Sequence, residues 1–237
     1  VSAFLTKKNQ NVSHLQSFIS DLSYIYVISL QGVQNAHKEN RQRLDLFRTA
    51  WTKKCAKIPN IKVCPGVLHE KKGYGLTKSY ISCFSEAIKS QKQYTLFFED
   101  DARLIDDNLC HKSTWNNLPN DTFVLLLGGH NFKYRTNAVK KYQEIVYSFG
   151  TYGFMVPFQN LEILRRGYEQ DLLSGKHTLS PDITLYEHAK KAQKRVYKTN
   201  PLLVYHAAGY SNTHKIMRKS IDAPIQNFSL NYNIVSL

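Results

Sequence analysis

The sequence predicts an α/β domain on a mostly parallel, Rossmann-like sheet that becomes mixed in its second half. Three observations carry this. Short β-rich runs alternate with segments of helical periodicity through the first half, the pattern of βαβ units. With 237 residues, 42% of them apolar, the chain can bury one substantial core. No internal repeat or low-complexity tract interrupts it. A single domain is expected over residues 22–212, with a polar arm or stem remnant at 1–21 and a basic tail at 213–237.

The elements follow in order. Tyr24–Leu30 is rich in β-branched and aromatic residues and long enough for one buried strand. After a polar loop, Leu44, Phe47 and Trp51 recur at helical spacing, with Arg41, Arg43 and Arg48 around them. Ile61–Val63 is a short strand closed by Pro65-Gly66. Leu76, Tyr80, Cys83, Phe84, Ala87 and Ile88 then mark an amphipathic helix opened by a basic, glycine-containing loop. Tyr94–Phe98 and Phe123–Leu127 read as buried strands, the second ended by Gly128-Gly129. Strands near Ile145–Phe149 and Gly153–Val156 precede a helix from about Gln159 to Leu173. Ser180-Pro-Asp182 is helix-start chemistry for a helix reaching about Lys191. Val196 and Leu202–Tyr205 supply short last strands, and Ser211 onward has little periodicity.

Lys and Arg total 32 against 18 acids, a net charge of +14, which favours anionic partners. No zinc finger, helix-turn-helix or RNA-recognition motif supports dedicated nucleic-acid binding. No run of about 18 apolar residues offers a membrane span. The four cysteines lack metal-site spacing. Cys83 is expected as a packed thiol, and Cys55 with Cys64 is one bridge an oxidising compartment would allow. Sequons occur at Asn11, Asn120 and Asn227. The compartment stays open: cytoplasm or cytoplasmic membrane face, or a Golgi or ER lumen if an anchor has been removed.

Where acids are this sparse, three in a row stand out. Glu99, Asp100 and Asp101 follow directly on the apolar run Tyr94–Phe98. Adjacent carboxylates at the end of a buried strand repel one another and resist leaving water unless a cation or donors neutralise them. A hard divalent ion held by oxygen ligands does this; a strand simply ending in solvent is the competing reading. In open α/β sheets such strand ends are where ligands bind.

The ordered set Tyr26–Leu30, Gly75-x-x-x-Ser79, Leu96–Ala102, Asp121–Gly128, Gly150–Val156 and Ser180–Asp182 resembles glycosyltransferase family 25 over roughly residues 22–212. That family contains lipooligosaccharide and procollagen galactosyltransferases. Two departures are Ser79-Tyr80 in place of Ser-His, and Ser180-Pro-Asp182 in place of Pro-Val-Asp. The resemblance implies a GT-A-like fold, a UDP-sugar donor, usually UDP-galactose, Mn²⁺ (or Mg²⁺), and transfer with inversion to a hydroxyl of a glycan, glycolipid or glycoprotein. The basic surface points to an acidic acceptor.

On this basis Asp101 is assigned as principal metal ligand, with Glu99 supporting it through strand alternation and His206 completing the shell from the end of the fold. Asp100, expected to face the other way, is placed with the donor-binding set. Tyr26 and Ser29 lie at the first strand end, where the donor base would contact. Arg41, Arg43 and Lys78 are candidates for diphosphate pairing, and Gly75 with Ser79 stands at a helix start whose free N–H groups favour an anion. Asp182 is the candidate base for the acceptor hydroxyl, and equally a helix cap; Glu187 is the alternative base. His130, after the glycine pair, is a candidate sugar contact. The other classes weighed are a metal-dependent phosphohydrolase or nuclease, which needs more convergent acids than are present, and an inactive polyanion-binding domain of the same fold.

Overall fold

The computed structural model describes residues 22–34, 36–55, 60–71, 73–135, 140–176, 180–207, 209–211 and 216–218. The expected arm at 1–21 and most of the tail at 213–237 lie outside them. The strands are β1 (Leu22–Ser29), β2 (Ile61–Pro65), β3 (Tyr94–Glu99), β4 (Ala102–Leu104), β5 (Thr122–Tyr134), β6 (Tyr142–Pro157), β7 (Arg195–Thr199), β8 (Val204–His206), β9 (Gly209–Ser211) and β10 (Ile216–Arg218). The α-helices are α1 (Arg43–Lys54), α2 (Tyr74–Lys89), the short α3 (Lys112–Trp115), α4 (Phe158–Ser174) and α5 (Pro181–Lys191).

Six strands form the central sheet in the order β2-β1-β3-β6-β5-β7. The β1–β2, β1–β3 and β5–β7 pairs are parallel. β6 runs antiparallel to β3, β5 and β7, so one reversed strand makes the second half mixed.

The sheet separates two apolar layers, as alternation along the strands requires. Ile25, Val27, Leu96 and Phe98 face Phe47 and Trp51 of α1. Tyr26, Phe97, Val124 and Leu126 face Tyr80, Cys83 and Phe84 of α2, together with Leu161, Leu164 and Tyr168 of α4. Each large side chain so buried contributes about 1.5–3 kcal/mol relative to exposure. Gly75 has a packing reason to be glycine: an added Cβ would stand 2.1 Å from the carbonyl oxygen of Val67. The β2–α2 loop therefore lies directly against the first turn of α2.

Several expectations are revised. The strands expected near 145–149 and 153–156 are one continuous β6, with Gly150 at positive φ inside it. β5 does not stop at Gly128-Gly129 but runs on to Tyr134. β4 and β8, three residues each, pair antiparallel as a separate two-stranded ribbon. Ile216–Arg218 pairs with Gly209–Ser211 where no periodicity was read. Cys83 is not a packed thiol but bonded to Cys64, and Cys55 is bonded to Cys110, not to Cys64. The reason is proximity: β2 lies beside α2, and the end of α1 meets the 3-10 turn Asn108–Cys110, with Cα pairs at 5.6 and 6.0 Å. No helix among the described residues is long and apolar enough to cross a membrane.

Candidate functional site

The carboxyl ends of β1 and β3 converge on the acidic cluster. Strand geometry ends at Glu99, and Asp100–Asp101 form a turn that leads into β4. The turn is pinned by its backbone, Asp100 N–H donating to Ile28 C=O at 3.1 Å and Ala207 N–H donating to Asp101 C=O at 2.9 Å. Alternation therefore does not carry Glu99 and Asp101 to one side. Glu99 keeps to the face of Phe97, where the Tyr80 hydroxyl donates to its Oε1 at 3.4 Å. Asp101 meets the α1 side.

Both aspartates are buried. Arg43 Nη1 of α1 donates to Asp101 Oδ2 at 3.0 Å and lies 3.8 Å from Asp100 Oδ1. His206, brought opposite Ala102 by the β4–β8 ribbon, sets Nε2 3.1 Å from the same Asp101 Oδ2. The Ser29 hydroxyl donates to Asp100 Oδ2 at 2.6 Å. Arg103 Nη1 donates to the carbonyls of Asp100 and Ala102 at 2.9 and 2.8 Å.

Unit charges about 4 Å apart interact by about 4 kcal/mol at a protein-like dielectric, so the two carboxyls divide. Burial and the neighbouring Asp101 charge push Asp100 up to about 6, against the pull of Ser29 and Arg43. Burial presses on Asp101 too, but the hydrogen bond and charge of His206, with Arg43 and Arg103, hold its carboxyl below the ordinary range. Asp101 Oδ1, by contrast, is buried with no hydrogen-bond partner among the described residues. An orphaned anionic oxygen of this kind is a ready ligand for a cation.

No three His, Cys, Asp or Glu side chains converge in a metal-holding arrangement among the described residues. Asp101 and His206 form a two-residue set of donor types, oxygen and imidazole nitrogen, that a divalent ion could use.

A second group of candidate side chains is gathered by β6 and the start of α5. Antiparallel register places Gly153 opposite Phe98, so residues 150–152 run alongside the acidic turn. The Gly150 N–H donates to Asp182 Oδ2 at 2.7 Å, and the Ser180 hydroxyl donates to Asp182 Oδ1. Pro181 opens α5 with Asp182 in its first turn, and the Tyr168 hydroxyl of α4 anchors that turn by donating to Pro181 C=O at 3.0 Å. Tyr80 lies within the fields of both Glu99 and Asp182; burial first, then these charges, push its phenol well above the usual range. On the other face, the Tyr152 ring packs 4.9 Å from His206 while its hydroxyl meets His130 Nδ1.

The structure thus brings together Ser29, Arg43, Asp100, Asp101 and His206, and sets Asp182 beside Gly150. Other expected residues have different surroundings. Tyr26 is in the core, its ring stacked on Phe97 and its hydroxyl donating to Glu86 C=O. Ser79 holds the β2–α2 loop, accepting from Val67 N–H and donating to Gly75 C=O. Lys78 is exposed on α2. Glu187 pairs with Lys176 at 2.7 Å on the surface. The side chain of Arg41 lies outside the described part. Arg103 and Tyr152 were not singled out from the sequence. The signal for Arg103 was a cation two residues after the acids, and for Tyr152 its place between Gly150 and Gly153.

No family model matches the chain, and no curated protein matches it by sequence. Solved structures do. The chain is similar to the crystal structure of a glycosyltransferase involved in the glycosylation of the major capsid of PBCV-1, with a TM-score of 0.51 and 12% identity over 75% of this chain and 82% of that one. Looser likenesses are to mannose-1-phosphate geranyltransferase from Thermus thermophilus (TM-score 0.44, 9% identity, 76% and 73% covered). Another is to a Drosophila β-1,4-galactosyltransferase 7 mutant in complex with manganese, UDP-Gal and xylobiose (TM-score 0.41, 10% identity, 82% and 74% covered). The fold is GT-A-like, an architecture of glycosyltransferases.

Proposed function

We propose that the chain is a metal-dependent, inverting glycosyltransferase of the family 25 kind, moving a hexose, with galactose the favoured sugar, from a UDP-sugar to a hydroxyl of a glycan or glycoprotein. The observation that carries this reading is Asp101: a buried carboxylate beside His206, one oxygen unpartnered, at the carboxyl end of the central strand of a GT-A-like sheet. Asp101 and His206 would hold Mn²⁺ (or Mg²⁺), which when bound neutralises charge on the departing diphosphate.

The chain's own residues have the remaining tasks. Arg43 and Arg103 supply positive charge where diphosphate oxygens would lie, and guanidinium forks suit them. Ser29 and Asp100 close the end of β1 beneath the donor. Asp182 accepts the acceptor hydroxyl's proton at a carboxylate oxygen, held in place by the Gly150 N–H and the Ser180 hydroxyl. Glu99, tied to Tyr80, borders that half of the site. Tyr26, Gly75, Ser79 and Glu187 have structural partners and are not part of this assignment.

The test is thermal melting with UDP, with Mn²⁺, and with both. Ligand at 100 times its Kd adds about 2.7 kcal/mol to the native state. A rise that needs both, and that Asp101→Asn abolishes, supports the reading; no rise in the wild type under any condition overturns it. Release assays across UDP-galactose, UDP-glucose and UDP-N-acetylglucosamine then fix the donor. A second reading, the same fold without the chemistry, draws on Arg43, which already provides charge compensation at Asp101 Oδ2. It requires UDP to bind no better with Mn²⁺ than without.

A further inference from the structure

A row of rings runs from the acidic turn to the first turns of α5. The His206 imidazole packs 4.9 Å from the Tyr152 ring, and Tyr152 stacks 5.7 Å from His130. His130 stacks in turn 6.2 Å from Phe149. Phe149 meets Tyr147 edge-on at 5.0 Å, and Tyr147 stacks 6.3 Å from Tyr186 of α5. The row joins the Asp101 cluster to the surroundings of Asp182.

Cross-strand pairing builds its outer part. Register sets Phe149 of β6 opposite His130 of β5, and Tyr147 opposite Lys133, so these side chains share one face of the strand pair. The exposed Lys133 ammonium lies 5.5 Å over the Tyr147 ring and steadies it. The strand then bends at Gly150, where φ is +68° and an added Cβ would stand 2.5 Å from the Tyr152 ring. The peptide unit after Phe149 gives its N–H to Asp182 Oδ2 at 2.7 Å. Phe149 is thus one peptide unit from the candidate base. Tyr147 senses the same carboxylate: burial first, then the Asp182 charge, push its phenol above the usual range.

Phe149 is 37% exposed, the one aromatic among the exposed large apolar side chains of the described residues. A single exposed hydrophobe needs no explanation. Phe149 has a second, half-buried ring beside it, and its own backbone braces Asp182. Aromatic faces carry negative charge density and attract groups polarised positive. One face of a pyranose is a patch of such C–H groups, with hydroxyls around its rim. A nucleobase also stacks, but it brings phosphates that the Asp182 carboxylate repels. The guanidinium groups that suit phosphate, Arg43 and Arg103, stand at the other end of the row with Asp100 and Asp101.

We propose that Phe149 and Tyr147 form a stacking shelf for the acceptor sugar, whose C–H face lies on the two rings with a rim hydroxyl directed to Asp182. The acceptor role rests on the transferase reading; the stacking of a sugar on these rings does not.

The experiment is saturation-transfer NMR on the full chain, without nucleotide, using methyl β-galactoside, methyl β-glucoside and methyl α-mannoside, with uridine as competitor. Signal from at least one glycoside is expected in the wild type, strongest at the ring protons of one face. Phe149→Leu keeps an apolar side chain and removes the ring. It should weaken that glycoside about three- to tenfold, whereas Phe149→Trp should keep or tighten it. The position is exposed, so the melting temperature is expected to stay unchanged. Tyr147→Leu repeats the test if Phe149→Leu folds poorly. No glycoside signal, wild-type affinity in the leucine variants, or displacement of the glycoside by uridine overturns the proposal. A UDP and Mn²⁺ response without glycoside binding refutes the shelf and spares the transferase reading. Ring-dependent glycoside binding without any UDP response does the reverse.

Discussion

Arg43 Nη1 and Asp101 Oδ2 are 3.0 Å apart, and each side chain is about nine-tenths buried. A basic residue expected to meet phosphate is therefore paired with the carboxylate expected to meet metal. Against the burial that pushes it up, His206 first, and then this pairing, hold the Asp101 carboxyl below the ordinary range. Removing one partner of a buried pair leaves the other uncompensated, at a cost of about 3–5 kcal/mol. Arg43→Met is expected to lower the urea unfolding free energy by that amount at pH 7. Saturating Mn²⁺ should restore part of it, since a cation at Asp101 replaces the missing charge. A loss below about 1 kcal/mol, or no response to Mn²⁺, would count against the site as described.

The two disulfides close loops of very different length, 19 residues for Cys64–Cys83 and 55 for Cys55–Cys110. Loop-closure entropy makes the longer one worth more, about 4 kcal/mol against about 3. Cys64→Ser with Cys83→Ala, and Cys55→Ser with Cys110→Ala, should lower the unfolding free energy in that order. Peptide mapping of the unreduced protein checks the connectivity; a Cys55–Cys64 linkage would refute it.

Asp182 is tested by the isosteric Asp182→Asn. The amide keeps one oxygen to accept from Gly150 N–H but cannot take the acceptor's proton. The turnover number is expected to fall about 10²- to 10⁴-fold with donor affinity unchanged. If donor binding and turnover fall together, Asp182 acts as the first-turn brace of α5 and not as the base.

The legible parts of this molecule were those with a strong local period. The stripe Leu76–Ile88 and the run Phe123–Leu127 declare a helix and a buried strand because burial on one face, or on both, dictates their composition. β4 was illegible because three residues hold no period, and although Leu202–Tyr205 was readable as a short strand, the pairing of β8 with β4 is a tertiary event. β6 read as two strands because Gly150 breaks the apolar pattern, although its positive φ only bends the strand. In the site, residue types were readable and partners were not. Ser29 and Asp100 are 71 residues apart, and nothing local says that one hydroxyl will meet that carboxylate. Glu99 was placed with Asp101 by alternation, but the strand ends at Glu99, two residues before Asp101.

Lys198 offers a pH test away from the acidic cluster. It is buried on β7, its ammonium 5.3 Å from the Phe132 ring and 5.5 Å from that of Tyr134. Burial pushes its pKa down to about 8, from 10.5. Below pH 8 the group is protonated in both folded and unfolded chains, so the whole desolvation penalty is present. Between 8 and 10.5 the unfolded chain binds the extra proton, and stability gained from this group rises with pH. The shift corresponds to about 3 kcal/mol, less about 0.5–1 kcal/mol for each ring contact. Lys198→Met is therefore expected to stabilise the protein by about 1–2 kcal/mol at pH 7, with the advantage shrinking steadily by pH 9.5. The comparison should stop there, because the Tyr80 and Tyr168 phenols, both pushed well above 10 by burial, cost stability once unfolded tyrosines ionise. Urea titrations of both proteins at pH 7.0, 8.5 and 9.5 measure the effect, and a pH-independent difference would show that Lys198 is not desolvated as the fold implies.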